Sequence, residues 1–228
     1  RPEKLGMALM LVGLVLIILN VMNTLSLLNQ ETSAAMTLPT LQPTPLVQAV
    51  VLPSGHTPPK GGATSYNEAE IPEHLRPMVQ SLANLPVPTP GVEQAVRVQI
   101  PAIRVDASVV QGDGWEQLKK GVGQHAGTAN PGQAGNLVLS AHNDVFGEIF
   151  RDLDQLKPGD PIIVFTQQRT YTYIVAAVED GQGYRIVEPT QVEVMAPTRD
   201  PAVTLISCYP YMVDNQRIVV RAYLQESP

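Results

Sequence analysis

"AVTLISCYPYMVDNQRIVVRAYL", residues 202–224, contains the only cysteine of the 228-residue chain, Cys208, and its pattern decides the fold. Two apolar, β-branched runs, Ala202–Cys208 and Gln216–Leu224, flank a connection that carries Pro210, Asp214 and Asn215, residue types that close turns. Both runs have period two, as strands do when one face meets a core. Paired as a hairpin, they bring position 208 about opposite 217. Alternation then puts Arg217, Arg221 and Tyr223 on one face of the last strand and Ile218, Val220 and Ala222 on the other. The apolar set faces the interior, so Arg217 stands beside the thiol on the outer, groove-forming face. Arg221 lies one further repeat of the pleat away.

The same period extends through the segment from about Ala95 to Gln225. "VRVQI", "IRVDASVV", "NLVLSA", "PIIVFTQ", "RTYTYIVAAV" and "YRIVE" join the two runs above, separated by turn signals such as "KPGD" and "EDGQG". Eight short strands in roughly 130 residues, enough for one core, predict a mainly β protein with a closed or nearly closed eight-stranded barrel. Two stretches have helical spacing instead. They are "GWEQLKKG" and "FGEIFRDLDQL", the second placing Phe146, Ile149, Phe150 and Leu153 on one face, where core packing explains the stripe.

Residues 5–28 carry no charge, and as an α-helix these 24 residues would be roughly 36 Å long, slightly more than a bilayer core. That predicts a transmembrane helix; a signal peptide cleaved near "SAA" at 33–35 is the rival. Arg1 and Lys4 precede the segment while Gln30 and Glu31 follow it, so residues 1–4 are expected in the cytoplasm and the rest outside. The missing initiator Met suggests an incomplete cytosolic end. Residues 29–91 hold 11 of the 21 prolines and read as a semi-rigid extended stalk with one or two short helices, with His56 and His74 as surface residues. The globular domain is then 92–228. A net charge of −6 and a mean hydropathy near zero fit neither a disordered nor a nucleic-acid-binding chain. A single Cys excludes an internal disulfide and a multi-Cys metal site, and outside the membrane an unpaired thiol is conspicuous. No phosphate-binding glycine fingerprint, EF-hand loop or HExxH occurs.

Three residue types remain that together do chemistry. A thiolate at Cys208 attacks a carbonyl, an imidazolium at His142, emerging at the end of the strand "NLVLSA", protonates the departing amine, and a guanidinium at Arg217 meets the oxyanion formed in between. An unperturbed thiol is only about 3 % ionised at neutral pH, and a cationic neighbour raises that fraction. His125 in "GVGQHAGT" is the competing histidine. Thr204 and Ser207 are strand residues that are also candidates for substrate contact.

On these residues the chain resembles the sortase family. "TLISCYPYMVDNQR" is similar to the family's Thr-Leu-x-Thr-Cys strand followed by an Arg on the next, and "NLVLSAHND" to the strand ending in its active-site His. "VRVQIPAIRVDASVV" looks like the opening strands, and "LKKGVGQHAGTANPGQAGN" like the Gly-rich segment before the His. Ser207 stands where Thr is usual, and Ala141 where Gly is common before the His. The resemblance implies an eight-stranded sortase barrel and a membrane-anchored cysteine transpeptidase anchoring surface proteins. Such an enzyme cuts an LPXTG-like C-terminal sorting signal of secreted proteins between Thr and Gly, holds the product as a thioester, and passes it to an amine of a cell-wall peptidoglycan precursor or a pilin. It maps Cys208 to the nucleophile, His142 to the acid/base and Arg217 to the oxyanion or positioning role. The "CYP" context is similar to class D sortases, with class E next. The end at "LQESP" without a second apolar span, and a stalk without an Asp-Pro-aromatic lid phrase, count against a pilus-polymerising type. No cofactor, metal or nucleic acid is expected, with Ca²⁺ activation left open at "DLDQ" or "VED".

Two other readings stand beside it. A peptidoglycan L,D-transpeptidase expects Gly before the Cys, where this chain has Ser207. A non-catalytic, membrane-tethered binding module would use Cys208 only as a buried strand residue.

Overall fold

The hairpin expected from residues 202–224 forms the wall of the barrel on which the site is built. In the computed structural model, which describes residues 19, 20, 22, 50–60, 64–77 and 90–225, the last two strands pair antiparallel with Cys208 opposite Arg217 and Thr204 opposite Arg221. The strands in chain order are β1 (Arg97–Ile100), β2 (Val105–Gln111), β3 (Val122–Gln124), β4 (Asn136–Ser140), β5 (Pro161–Phe165), β6 (Thr170–Val175), β7 (Tyr184–Val187), β8 (Ala202–Tyr209) and β9 (Gln216–Leu224). Their spatial order is β6-β5-β1-β2-β3-β4-β8-β9-β7, and a further β6–β9 pairing closes eight of them into a ring.

The fold is mainly β and the barrel has eight strands, but one member differs from the sequence expectation. The three-residue β3, Val-Gly-Gln, pairs parallel to β2 and antiparallel to β4 and completes the ring, whereas β7 pairs only with β9, outside it. Two parallel joins, β2–β3 and β4–β8, make the sheet mixed.

Alternation along the strands separates two apolar clusters. Val98, Ile100, Leu137, Leu139, Val203, Leu205, Ile218, Val220 and Ala222 fill the barrel with Phe150, Leu153 and Tyr173. On the outer face of β4, β8 and β9, Val138, Ile206 and Val219 meet Val187, Val194, Met195 and Leu52. Leu52 comes from the Pro-rich N-terminal segment. Complete burial of such a side chain contributes roughly 1.5–3 kcal/mol, enough to seat a short strap on a sheet.

Only one α-helix occurs among the described residues of the barrel, α1 (Trp115–Leu118). The expected helix through "FGEIFRDLDQL" does not form. Phe146, Gly147 and Glu148 all have positive φ (49°, 92° and 50°), which no right-handed helix tolerates, and only Leu153–Gln155 make a 3-10 turn. Phe150 and Leu153 still enter the core, whereas Phe146 is 43 % exposed.

Residues 50–60 and 64–77 pack on the barrel. Leu52 N donates to Pro189 O at 2.7 Å, and Thr57 N to Ser65 O at 2.9 Å beside an antiparallel bridge between His56 and Tyr66. Two 3-10 turns follow, Glu68–Glu70 and Glu73–Leu75. His74 is exposed as expected. His56 is fully buried, contrary to expectation, because the strap carries it into the groove. No described helix is long and apolar enough to cross a membrane, and the expected transmembrane helix 5–28 lies, but for residues 19, 20 and 22, outside the described residues.

Candidate active site

Cys208 and Arg217 face each other across the β8–β9 ladder, so the register alone holds thiol and guanidinium together. Cys208 is 1 % exposed. Burial pushes its thiol up to about 12, Arg217 pulls the other way, and the carboxylates of Asp214 and Glu70 add to the rise. Arg217 is fully buried. Its Nε donates to Pro53 O at 2.9 Å, its Nη1 to Gln216 O at 3.0 Å, and its Nη2 to the Glu70 carboxylate.

His142 lies two residues beyond β4 and is 2 % exposed. Neither ring nitrogen has a hydrogen-bond partner among the described residues. Burial, then the nearby His56 and Arg217, hold it neutral, with its pKa lowered to about 3. Trp115 packs edge-on at 5.3 Å between ring centroids, and Phe146 lies at 5.6 Å. The α1 turn and the positive-φ loop thus form an aromatic wall on this side of the groove.

His56, which sequence reasoning placed on the surface, occupies the centre. Its ring centroid is 4.6 Å from that of His142, and its Nδ1 is 3.6 Å from Cys208 Sγ. Nδ1 donates to Ser54 O at 2.9 Å, while Nε2 meets Asp144 Oδ1 at 2.5 Å and Asp214 Oδ2 at 3.6 Å. Asp214 also accepts from Asn143 Nδ2 at 2.9 Å. Burial raises the Asp214 pKa to about 6; the Asn143 hydrogen bond lowers it and Asp144 adds to the rise.

His56, Asp144 and Asp214 are the one group of potential metal ligands among the described residues. Ligands about 2.0 Å from a tetrahedral ion lie roughly 3.3 Å apart. The His56–Asp144 contact of 2.5 Å is instead a direct hydrogen bond, so these residues form a latch between strap and barrel in this arrangement.

The remaining candidates sit around this centre. Ser207 Oγ donates to Ala141 O at 2.7 Å and fixes the backbone that presents His142. Thr204 Oγ1 donates to Asn136 Oδ1 at 2.7 Å and accepts from Arg221 Nε at 3.3 Å. Arg221 also donates to Val194 O, tying β9 to the outer apolar cluster, and no contact joins it to the thiol. His125 pairs with Asp113 at 2.6 Å. Burial lowers its pKa, but the Asp113 charge and hydrogen bond outweigh that and raise it.

The family model of the sortase domain matches residues 98–225, more than half of the chain and all of the barrel except the first residue of β1. The chain belongs to the sortase family. Among curated sortases, Sortase SrtE1 of Streptomyces coelicolor is 33 % identical over 102 residues, covering 41 % of this chain and 28 % of the relative. Sortase D of Bacillus subtilis is 26 % identical over 115 residues, 50 % of this chain and 54 % of the relative. The chain thus spans about a quarter to about half of the curated relatives it matches. Among solved structures, sortase C-1 of Streptococcus pneumoniae superposes with a TM-score of 0.57 at 27 % identity, over 65 % of this chain and 78 % of that one. A sortase E mutant from Streptomyces avermitilis gives 0.51 at 28 %, over 60 % and 91 %. Sortases are cysteine transpeptidases, and the sortase barrel here carries a Cys, a His and an Arg along one groove.

Sequence reasoning missed four participants: His56, Glu70, Asp144 and Asp214. The "ND" after His142 and the Asp in the β8–β9 connection were visible as turn residues, but nothing local linked them to a histidine outside the domain. The signal that was available is Leu52-Pro53-Ser54-Gly55, which resembles a sorting signal.

Proposed function

We infer that this chain is a single-pass membrane-anchored sortase that cuts an LPXTG-like C-terminal sorting signal between Thr and Gly and transfers the protein to an amine of a cell-wall precursor or pilin. The observation that carries the reading is a peptide already seated in the groove. Ser54 O lies 3.0 Å from Cys208 Sγ, and the preceding carbonyl, Pro53 O, accepts from Arg217 Nε. A groove that holds a peptide turn, with Ser54 at φ 71°, so that one carbonyl meets a thiol and the preceding one a guanidinium, is suited to acyl transfer from a peptide.

With substrate in place of the strap, the Cys208 thiolate attacks the Thr carbonyl carbon. The oxygen takes the negative charge, and Arg217, freed from Glu70, donates to it. The C–N bond then breaks, protonated His142 supplies a proton to the leaving Gly amine, and a thioester to Cys208 remains. An incoming amine reverses the sequence, losing its proton to neutral His142 as it displaces the sulfur. Thiolate and imidazolium are both favoured once the groove hydrates, since burial is the first cause of both pKa displacements. Thr204 and Ser207 support the site by holding β4 and β8, with substrate contact assigned to them as part of this reading.

The apolar segment 5–28 and the positive charges before it support an anchor with a cytoplasmic N-terminus and the barrel outside. The proposed partners are secreted proteins with the sorting signal and the amine acceptor; the chemistry calls for no cofactor.

The test uses the full chain in detergent with a library of LPXTG-like peptides, trapping the thioester by mass spectrometry. An adduct on Cys208 is expected with at least one peptide, and none in Cys208→Ala. Cleavage that persists in Cys208→Ala, or no adduct with any peptide once the groove is open, refutes the reading.

A further inference from the structure

Beside the Cys-His-Arg groove lies a second cluster in which acceptor atoms outnumber their partners. Asp144 is 6 % exposed and Asp214 1 %. Yet Asp144 Oδ2, Asp214 Oδ2 and Asn143 Oδ1 have no hydrogen-bond partner among the described residues. Buried polar atoms are normally satisfied, so three that are not, side by side, point to a missing cation. The two carboxylates converge on one atom. His56 Nε2 is 2.5 Å from Asp144 Oδ1 and 3.6 Å from Asp214 Oδ2, and ligand atoms of all three residues lie within 4.8 Å of one another.

We propose that His56, Asp144 and Asp214 form a zinc-binding site, with His56 Nε2 and one oxygen of each carboxylate as ligands. None of them is Cys208, His142 or Arg217, so the site goes beyond the transpeptidase reading and does not depend on it.

The surroundings of each ligand are those that a metal requires. A metal-bound imidazole is neutral and donates its other ring N–H to a carbonyl or carboxylate, as His56 Nδ1 does to Ser54 O at 2.9 Å. Asp214 Oδ1 accepts from Asn143 Nδ2 at 2.9 Å, which leaves Oδ2 facing His56. Ligands about 2.0 Å from a tetrahedral ion lie roughly 3.3 Å apart, close to the 3.6 Å between His56 Nε2 and Asp214 Oδ2. Asp144 Oδ1, at 2.5 Å from Nε2, has to withdraw by roughly 0.8 Å or give way to its unpartnered Oδ2. The ion then takes the place of the proton between Asp144 and Nε2, and that proton leaves to solvent. A divalent cation balances both carboxylates at once, whereas one imidazolium balances one.

One imidazole with two carboxylates suits zinc, whereas Ca²⁺ takes about six to eight oxygens. The thiol is not a ligand, because Cys208 Sγ lies 3.6 Å from Nδ1, on the side of the ring away from Nε2. Asp144 follows His142 by two positions and Asp214 precedes Arg217 by three. A bound ion therefore ties the loop after His142 to the connection before Arg217, and zinc should raise the melting temperature.

Isothermal titration calorimetry with Zn²⁺, on the full chain in detergent after treatment with a chelator, reads the site directly. One ion per chain is expected, with a higher melting temperature. His56→Ala and Asp214→Asn, each shown to be folded by circular dichroism, should bind at least about tenfold more weakly, since even an outer-shell partner is worth that much. Asp144→Asn replaces either variant that does not fold. Cys208→Ala should bind as wild type does, and Co²⁺ in the site should give visible d–d bands without a thiolate charge-transfer band.

A wild type that binds no zinc overturns the proposal. So does binding that survives in the folded His56 or Asp214 variant, which would mean an adventitious ion only. Binding lost in Cys208→Ala would place the ion on the thiol, and displacement of zinc by excess Ca²⁺ would refute the ligand set. None of these readouts requires turnover. Failure of peptide cleavage leaves the zinc site standing, and failure of zinc binding leaves the transpeptidase reading untouched.

Discussion

Replacing each of the two β9 arginines by lysine separates activity from stability. Arg217 lies opposite Cys208, and Arg221 four residues on, opposite Thr204. That is about 13 Å along a strand rising ~3.3 Å per residue. Only the nearer guanidinium can donate to an oxyanion at the thiol, and lysine keeps the charge but loses the planar fork of donors. Both variants belong in the His56→Ala background, so that the strap does not mask the outcome. Arg217→Lys should then lower kcat/KM for a sorting-signal peptide by about 10²–10³, or roughly 2.7–4 kcal/mol of transition-state stabilisation, as when an oxyanion donor is removed. Arg221→Lys should stay within about threefold in kcat/KM, well below the tenfold that 1.36 kcal/mol represents. Its cost appears in stability instead. Arg221 bonds Thr204 Oγ1 and Val194 O, and a lysine that recovers one of the two forfeits about 1–3 kcal/mol. The assays are peptide cleavage followed by chromatography and thermal unfolding followed by circular dichroism. Reversed effects on kcat/KM would refute the assignment of Arg217 as oxyanion donor, leaving Cys208 and His142 untouched.

Other outcomes follow from the same contacts. The pKa of Asp214 rises on folding from 3.8 to about 6, so between those values the folded state holds a proton that the unfolded state has lost. Its contribution to stability is complete below about 3.8 and disappears as pH rises through 6. The melting temperature of wild type minus that of Asp214→Asn should therefore fall between about pH 4 and 7, and a flat or rising difference would contradict the buried, proton-holding carboxyl. Gly123 lies in β3 with Gly112 O 2.5 Å, Leu118 Cδ2 2.8 Å and Asp113 Cα 2.9 Å from where a Cβ would sit. Gly123→Ala should destabilise the barrel by about 1–3 kcal/mol, and an unchanged denaturant midpoint would show that β3 does not close the ring. Transpeptidation should survive a chelator; loss of activity restored by Ca²⁺ would show that an acidic loop holds an ion.

The pairing of β8 with β9, the facing of Cys208 and Arg217, and the mainly β character were legible in the sequence. Each rests on local rules: alternation sets which side chains share a face, and turn residues set where a strand stops. The apolar face Ile218, Val220, Ala222 had one place to go, and the register followed. Tertiary structure decided the rest. β3 is three residues long and contains a glycine, too little to announce a strand, and it exists because β2 and β4 leave a place between them. Phe146 and Glu148 were read as helical because apolar spacing does not reveal a positive φ. His56 and Cys208 are 152 positions apart, and their contact depends on a pocket assembled from β4, β7, β8, β9 and the 192–195 turn, into which Leu52 fits. Periodicity within either segment could report that each is apolar or turn-rich, but only folding brings the pocket and its occupant together. Proline-rich composition reads as an extended strap whether it hangs in solvent or lies in a groove, because the missing N–H groups and the fixed φ are the same in both.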